Sequence, residues 1–411
     1  MKKVLSYLTI FLIIWVPSIV LADSQQLISG LNWLISAKNG HEYWGCKIPA
    51  GEEIDELTDE DIVPTYFRDT CEATETLSSL HQTGTDYNNA INWIYENKPT
   101  TTEQISKKIE ILSRTSFSYT DDLNLLLSYQ NSDGGFGGYK KLRSDIVDSI
   151  FSLRALKSIS YQDNSIIEKI IQFVINNQNS DGGWGFKQGR ESSVYYTALV
   201  SSNLQQFSQT TSIATAINKA TTYLIAHQNT DGGFGGSPST VFETSLAYLA
   251  LVGDPSTSSG LLLQNAVNYL TSTQLSDGSW DDDPYSTALA LRALANVKPN
   301  LSISSADIIF SNPTPTAGET ITITADVKNS GIAQASGVSV QFYDGDPSSG
   351  GTLIEERTIT SIGAFGSSQA SINYTIPTAS SKTIYVKIDL MNSEKIIHIF
   401  KNKNYLTKNN C

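Results

Sequence analysis

The stretch QNSDGGFGG (Gln130–Gly138) returns as QNSDGGWGF (Gln178–Phe186), as QNTDGGFGG (Gln228–Gly236) and, in worn form, as QLSDGSW (Gln274–Trp280). The four glutamines stand 48, 50 and 46 residues apart. A period of this length is the signature of a chain built from stacked copies of one supersecondary unit.

Each glutamine ends the same kind of segment. ATTYLIAHQ (Ala220–Gln228) and AVNYLTSTQ (Ala266–Gln274) align without gaps, and IIQFVINNQ (Ile170–Gln178) and DLNLLLSYQ (Asp122–Gln130) fit their frame. GLNWLISAK (Gly30–Lys38) and AINWIYENK (Ala90–Lys98) fit it with Lys in place of Gln, which makes six copies. In the last copy Leu262, Ala266, Tyr269 and Leu270 recur at steps of three and four. That spacing predicts an amphipathic helix. After the turn comes a helix of another kind. Ser286–Val297 and Thr244–Val252 are apolar almost all round, with Ser144–Lys157, Glu191–Leu204, Ala73–Leu80 and Ile105–Leu112 in the matching places. A helix apolar on every side is a buried one.

Six amphipathic helices and six buried ones predict two concentric layers in a closed ring. An open solenoid needs polar capping repeats, and none is evident. The pairs Asp133-Gly134, Asp181-Gly182, Asp231-Gly232 and Asp277-Gly278 are turn dipeptides. Asp bonds its own backbone there, and Gly accepts positive φ and stops the helix. A calcium loop does not fit, because the twelve-residue ligand spacing with its terminal Glu is missing.

The pattern Q-x-x-x-G-G-[FW]-G after such a helix resembles the QW-type repeat of the terpenoid cyclase and protein prenyltransferase superfamily, over about residues 25–298. The resemblance implies an all-α toroid of six inner and six outer helices, in which the Gln side chain ties its helix end to a neighbour. It does not choose a function, because the fold serves cyclases, prenyltransferases, thioester domains and cobalamin carriers.

Past Pro299-Asn300, β-branched residues alternate with polar ones, in ETITITADVKNSG (Glu319–Gly331) and four later runs. Short alternating strands between Gly, Pro, Ser and Asn turns predict an antiparallel β-sandwich. ITADVKNSG followed by VSVQFYDGDPSSGG resembles the CARDB-type immunoglobulin-like module over 301–392. The resemblance implies a spacer or adhesion unit. Residues 393–411, basic in composition, are expected as an irregular tail.

Lys2, Lys3, an apolar run to Val20 and small residues before Asp23 predict a signal peptide at 1–22, leaving the toroid at 23–298. The expected location is exported: periplasmic, extracellular or at the cell surface. Cys46 and Cys71 are then a candidate disulfide, with Cys411 left over. A formal charge of −13 argues against a nucleic-acid partner.

Four constellations bear on chemistry. Class II cyclases protonate an alkene with the middle Asp of D-x-D-D-T-A, an acid kept neutral by burial and a neighbouring carboxylate. Aligning Thr-Ala on Thr287-Ala288 puts Asp283 first but Tyr285 in the donor's place, and Asp145 with Asp148 keep only the outer acids. Asp145, Asp148 and Asp283 are therefore weak catalytic candidates, also readable as helix-start charges. A prenyltransferase zinc site needs Asp, Cys and His; Asp69-Thr70-Cys71 supplies two, but none of His41, His81, His227 and His398 starts a later buried helix. Gly45-Cys46-Lys47-Ile48 lacks the Gln of an internal thioester, and no G-x-S-x-G elbow is present.

The frame leaves Tyr195, Tyr196, Phe242, Glu243 and Tyr285 as candidate cavity-lining residues, suited to an isoprenoid-like molecule or a peptide, or to packing. No metal and no cofactor is implied. The expected function is an exported or cell-surface binding protein on a cyclase-like toroid without the catalytic acid or zinc, meeting a cell-surface protein or an envelope component through its β-sandwich. The alternative is a terpene cyclase or isoprenoid-modifying enzyme with a diverged site.

Overall fold

In a computed structural model the described residues are 24–38, 41–45, 59–207, 210–254, 260–329, 331, 333–364, 366–377, 382–390 and 398–405. The expected signal peptide, residues 1–22, lies outside them, as do Cys46 and Cys411.

Twelve helices in this set form hairpins: α1 (Ser24–Ser36) with α2 (Asp59–Ser79), α3 (Thr85–Glu96) with α4 (Thr102–Leu112), and α5 (Thr120–Leu127) with α6 (Ile146–Ser158). Three more follow: α7 (Asn164–Asn176) with α8 (Val194–Leu204), α9 (Thr211–Ala226) with α10 (Val241–Val252), and α11 (Gly260–Ser272) with α12 (Pro284–Ala295). Burial separates the two kinds. In α4 every residue from Gln104 to Leu112 is buried, whereas α7 buries only Ile170 and Val174. The even-numbered helices pack side by side in sequence order, and α12 packs on α2. That contact closes the inner ring.

Local chemistry starts each inner helix where it does. Asp145, Ser193, Thr240 and Asp283 are N-caps whose side chains accept from the N–H three residues on, and Thr101 with Gln104 forms a capping box. At the turns, Gly134, Gly182, Gly232 and Gly278 all have φ near +90°. The Asp before each accepts from the N–H two residues on, as Asp181 does from Gly183 at 2.9 Å. The large aromatic that follows (Phe136, Trp184, Phe234 or Trp280) is fully buried.

One compact unit spans Asp23–Lys298 and the other begins at Pro299. In the second, β1 (Leu301–Ser302), β2 (Ile308–Phe310) and β3 (Thr320–Asn329) share a sheet with β6 (Ser367–Thr375); β1, β2 and β6 all pair with β3. The facing sheet runs β5-β4-β7-β8, from β4 (Ala335–Asp344), β5 (Thr352–Ile362), β7 (Lys382–Leu390) and β8 (His398–Tyr405). Along β3, Ile321, Ile323, Ala325 and Val327 are buried against Val338, Val340 and Phe342 of β4 and their neighbours. The period-2 alternation thus becomes the sandwich core. The expected irregular tail is corrected over part of its length. Residues 398–405 form a strand antiparallel to β7, because an open sheet edge can order a segment whose lysines read as irregular.

Candidate functional site

A repeated hydrogen bond sets the register of the inner helices. The backbone N–H of the turn aromatic donates to a hydroxyl: Phe136 to Ser149 at 2.9 Å, Trp184 to Thr197 at 3.0 Å, Phe234 to Thr244 at 2.8 Å and Trp280 to Thr287 at 3.0 Å. In the first hairpin Trp44 donates to Thr70 at 2.9 Å. Thr70 is thus the counterpart of Thr287, and the first inner helix starts well before the expected Ala73.

Two residues before the hydroxyl stand Arg68, Val147, Tyr195, Phe242 and Tyr285; counting from its N-cap Thr101, α4 contributes Glu103. This is the level at which a class II motif carries its proton donor. Four of these side chains form a continuous belt. Tyr195 lies 5.2 Å from Phe242, Phe242 lies 6.2 Å from Tyr285, and the Arg68 guanidinium sits 4.5 Å over the Tyr285 ring. Glu103 faces Arg68 electrostatically. Of the expected cavity-lining residues, Tyr195, Phe242 and Tyr285 are therefore brought together. Tyr196 touches the belt edge-on through Tyr195 at 4.9 Å, whereas Glu243 turns back to the start of its own helix. One residue further on, a helix has turned about 100° from the axis. Tyr196 meets Phe186 of the preceding loop at 6.0 Å, and Glu243 accepts from its own N-cap hydroxyl, Thr240, at 3.0 Å.

Below the belt the same stripe continues at steps of four and three. It reads Arg68-Glu72-Glu75 on α2, Glu103-Lys107-Glu110 on α4, Val147-Phe151-Arg154 on α6 and Tyr285-Leu289-Arg292 on α12. Lys107 pairs with Glu72 at 2.9 Å, and Arg292 pairs with Glu72 and, at 3.0 Å, with Glu75. Arg154 reaches Glu75 at 3.2 Å and Glu110 at 2.8 Å. Because α4 stands between α2 and α6 in the ring, the Arg154–Glu75 pair crosses the interior. Three carboxylates and three cations thus cancel inside the toroid. Burial opposes ionisation of Glu72, but Arg292, Lys107 and Arg154 hold its carboxyl well below the usual range. Burial likewise works against charge on Lys107, and Glu72 outweighs it, so the ammonium stays protonated.

The acid candidates lie beside this network. Asp145 and Asp283 are N-caps, accepting from Asp148 N–H at 3.0 Å and Ser286 N–H at 2.7 Å. Asp281 and Asp282, in the run that first draws attention, occupy left-handed turn conformations. Asp148 is buried between the starts of α6 and α4; burial, then the charge and hydrogen bond of Asp145, push its carboxyl up to about 8. Asp69 is fully buried one residue before Thr70. Burial raises its carboxyl to about 6 despite Arg68, and Asp283 adds to the rise. Cys71, buried beside it, has its thiol pushed up by burial. It is a free cysteine, and its expected partner Cys46 lies outside the described residues. Among the described residues no three His, Cys, Asp or Glu side chains gather as a metal site.

Sequence reasoning passed over the ion-pair residues. A signal existed: SLRALK and ALRALA place Arg154 and Arg292 identically in helices that otherwise read as core.

Residues 143–293 match the family model for the squalene-hopene cyclase C-terminal domain. A type II terpene cyclase from Scytonema, solved with geranylgeranyl dihydroxybenzoate, covers 66% of this chain with 96% of its own length, at TM-score 0.52 and 13% identity. The helical unit has the terpene cyclase fold. Residues 298–407 match the CARDB model, so a CARDB domain follows the cyclase-fold unit. Two curated relatives are drimenyl diphosphate synthases. The one from Streptomyces showdoensis is 28% identical over 211 residues, 47% of this chain and 39% of the relative. The one from Streptantibioticus cattleyicolor is 31% identical over 188 residues, 41% of this chain and 35% of the relative. The chain thus spans under two fifths of the length of these relatives.

Proposed function

We propose that the cyclase-fold unit is a non-catalytic binding module of an exported or cell-surface protein, with the CARDB domain as its spacer or adhesion unit. The observation that carries this reading is the filled interior. A cyclase interior must fold an apolar polyene around a proton donor. Here the inner helices hold Glu72, Glu75, Glu110, Lys107, Arg154 and Arg292 in mutual ion pairs. Dismantling such a network to admit an apolar guest strands buried charges, at about 3–5 kcal/mol for each broken pair. No aspartate stands at the donor level of any inner helix. The export half of the proposal rests on the basic, apolar and small-residue pattern of residues 1–22. Isothermal titration with farnesyl and geranylgeranyl diphosphate tests the filled interior; saturable heat at micromolar concentration would falsify it. Fractionation of expressing cells tests the export half, and full-length protein retained in the cytoplasm counts against it.

A second reading, a diverged class II cyclase, is favoured by one arrangement: Asp148 is buried against Asp145, and burial with that neighbour pushes its carboxyl up to about 8. The likeness to drimenyl diphosphate synthases supports it too. In that reading Asp148 is the acid and Asp145 holds its proton by hydrogen bond. Product formation that disappears in Asp148→Asn, with the fold intact, would select it.

A further inference from the structure

The four turn-to-helix loops of hairpins three to six occupy equivalent places, and their chemistry differs sharply. The last two read GGSPS (Gly235–Ser239) and DDD (Asp281–Asp283). The first two read GYKKLR (Gly138–Arg143) and FKQGR (Phe186–Arg190). In a chain of charge −13 they bring Lys140, Lys141, Arg143, Lys187 and Arg190 to one part of the surface. All five are exposed, and none makes an ion pair with a described residue. Between them stand three apolar side chains that folding leaves outside: Tyr139 at 49%, Leu142 at 51% and Phe186 at 40% exposure.

The two loops are contiguous and built to hold their shape. The Phe186 carbonyl accepts from Ile146 N–H at 3.0 Å, which rests the second loop on the helix that the first one enters. Asn131 Nδ2 donates to the Leu142 carbonyl at 2.7 Å, and Asn179 Nδ2 makes the same bond to Arg190 at 2.9 Å. The Gly138 carbonyl accepts from Thr102 N–H at 2.9 Å. Lys141 has φ +69°, at the place where the next loop has Gly189 at φ +76°. A lysine held where glycine is free of strain costs stability, and such strain clusters at functional positions.

We infer that these two loops form a binding surface for an acidic polysaccharide, one whose sugar rings carry carboxylates. Exposed aromatic rings pack against the C–H faces of sugars, and flanking cations take the carboxylates. Rigid loops lower the ordering cost of binding. An anionic lipid surface fits less well. Insertion calls for a broad apolar face, and Leu142 is the one large exposed aliphatic on these loops. The site lies on the loops rather than in the ring interior, so it stands whether or not the interior is catalytic.

The test uses the full chain with polygalacturonate in low salt, read by affinity electrophoresis and titration calorimetry. Binding is expected, weakening steeply as salt rises. The variant K140A/K141G/R143A/K187A/R190A should lose at least tenfold in affinity, and Y139A/F186A several-fold. The outer-helix control K169A/K219A should bind as wild type. Melting curves should show all variants folded, with Lys141→Gly no less stable. No polymer binding by wild type, equal loss in the outer-helix control, or capture by phosphatidylglycerol vesicles in preference to the polymer would each overturn the inference.

Discussion

Gln274 Nε2 donates to the backbone carbonyl of Gln26 at 2.9 Å, across 248 residues of sequence. The same nitrogen donates to Gly278 O of its own turn at 2.8 Å. Gln178 bonds Gly182 and Ala216, and Gln228 bonds Gly232 and Leu262, in the same way. Each amide therefore uses both N–H groups, one for its turn and one for the next outer helix. The last reaches back to the first helix and closes the outer layer as α12 on α2 closes the inner one.

Replacing this amide by an acceptor tests its role. Gln274→Glu loses both donors and faces two carbonyls, so we expect a loss of about 2–3 kcal/mol in the melting of the helical unit. Gln130→Glu should cost less, since Gln130 has one such bond, to Gly134 O at 3.1 Å. The adjoining glycine is as constrained. Gly278 has φ +98°, and a Cβ there would lie 2.5 Å from the Ser29 carbonyl. Gly278→Ala is expected to cost about 3 kcal/mol, and Gly236→Ala, in open space, close to nothing.

The interior network predicts acid lability. The folded-state carboxyl of Glu72 lies well below its ordinary value. Its stabilisation is present above about pH 4.5 and is lost as pH falls towards the folded value. Melting temperature of the helical unit should therefore drop between pH 5 and 3. Glu72→Gln should destabilise by about 3–5 kcal/mol at pH 7, because Lys107 and Arg292 lose a buried counter-charge, and its melting should depend less on pH over that range.

Asp148 predicts the opposite slope. Its folded value, about 8, is raised, so the folded state holds a proton the unfolded chain has released. Stability from this group is complete below about pH 3.8 and is lost as pH rises through 8. Asp148→Asn retains a donor towards Asp145 and removes the titration. Its melting temperature should match wild type at pH 4 and exceed it at pH 8.5.

The architecture was legible because it is periodic. Gln, Asp-Gly and an aromatic at a near-constant interval specify a hairpin, and six hairpins specify a ring. The belt was half legible: Tyr195, Phe242 and Tyr285 followed from the frame, but the first hairpin was out of register. Its Trp44–Thr70 bond joins residues 26 apart across a stretch without the repeat motif. The ion pairs were illegible because their partners lie far apart in sequence, as with Arg292 and Glu72, 220 residues apart. An isolated charge on an apolar helix does not reveal its partner; only the ring brings Glu72, Glu75 and Glu110 to Arg154 and Arg292.

The proposed non-catalytic role rests on the ion pairs among Glu72, Glu75, Glu110, Lys107, Arg154 and Arg292. The most direct measurement incubates purified protein with farnesyl diphosphate, geranylgeranyl diphosphate and squalene and analyses extracts by mass spectrometry. The account predicts no cyclised product from wild type and none from Asp148→Asn. Cyclised product from wild type that vanishes in Asp148→Asn, with both proteins equally folded, would contradict it.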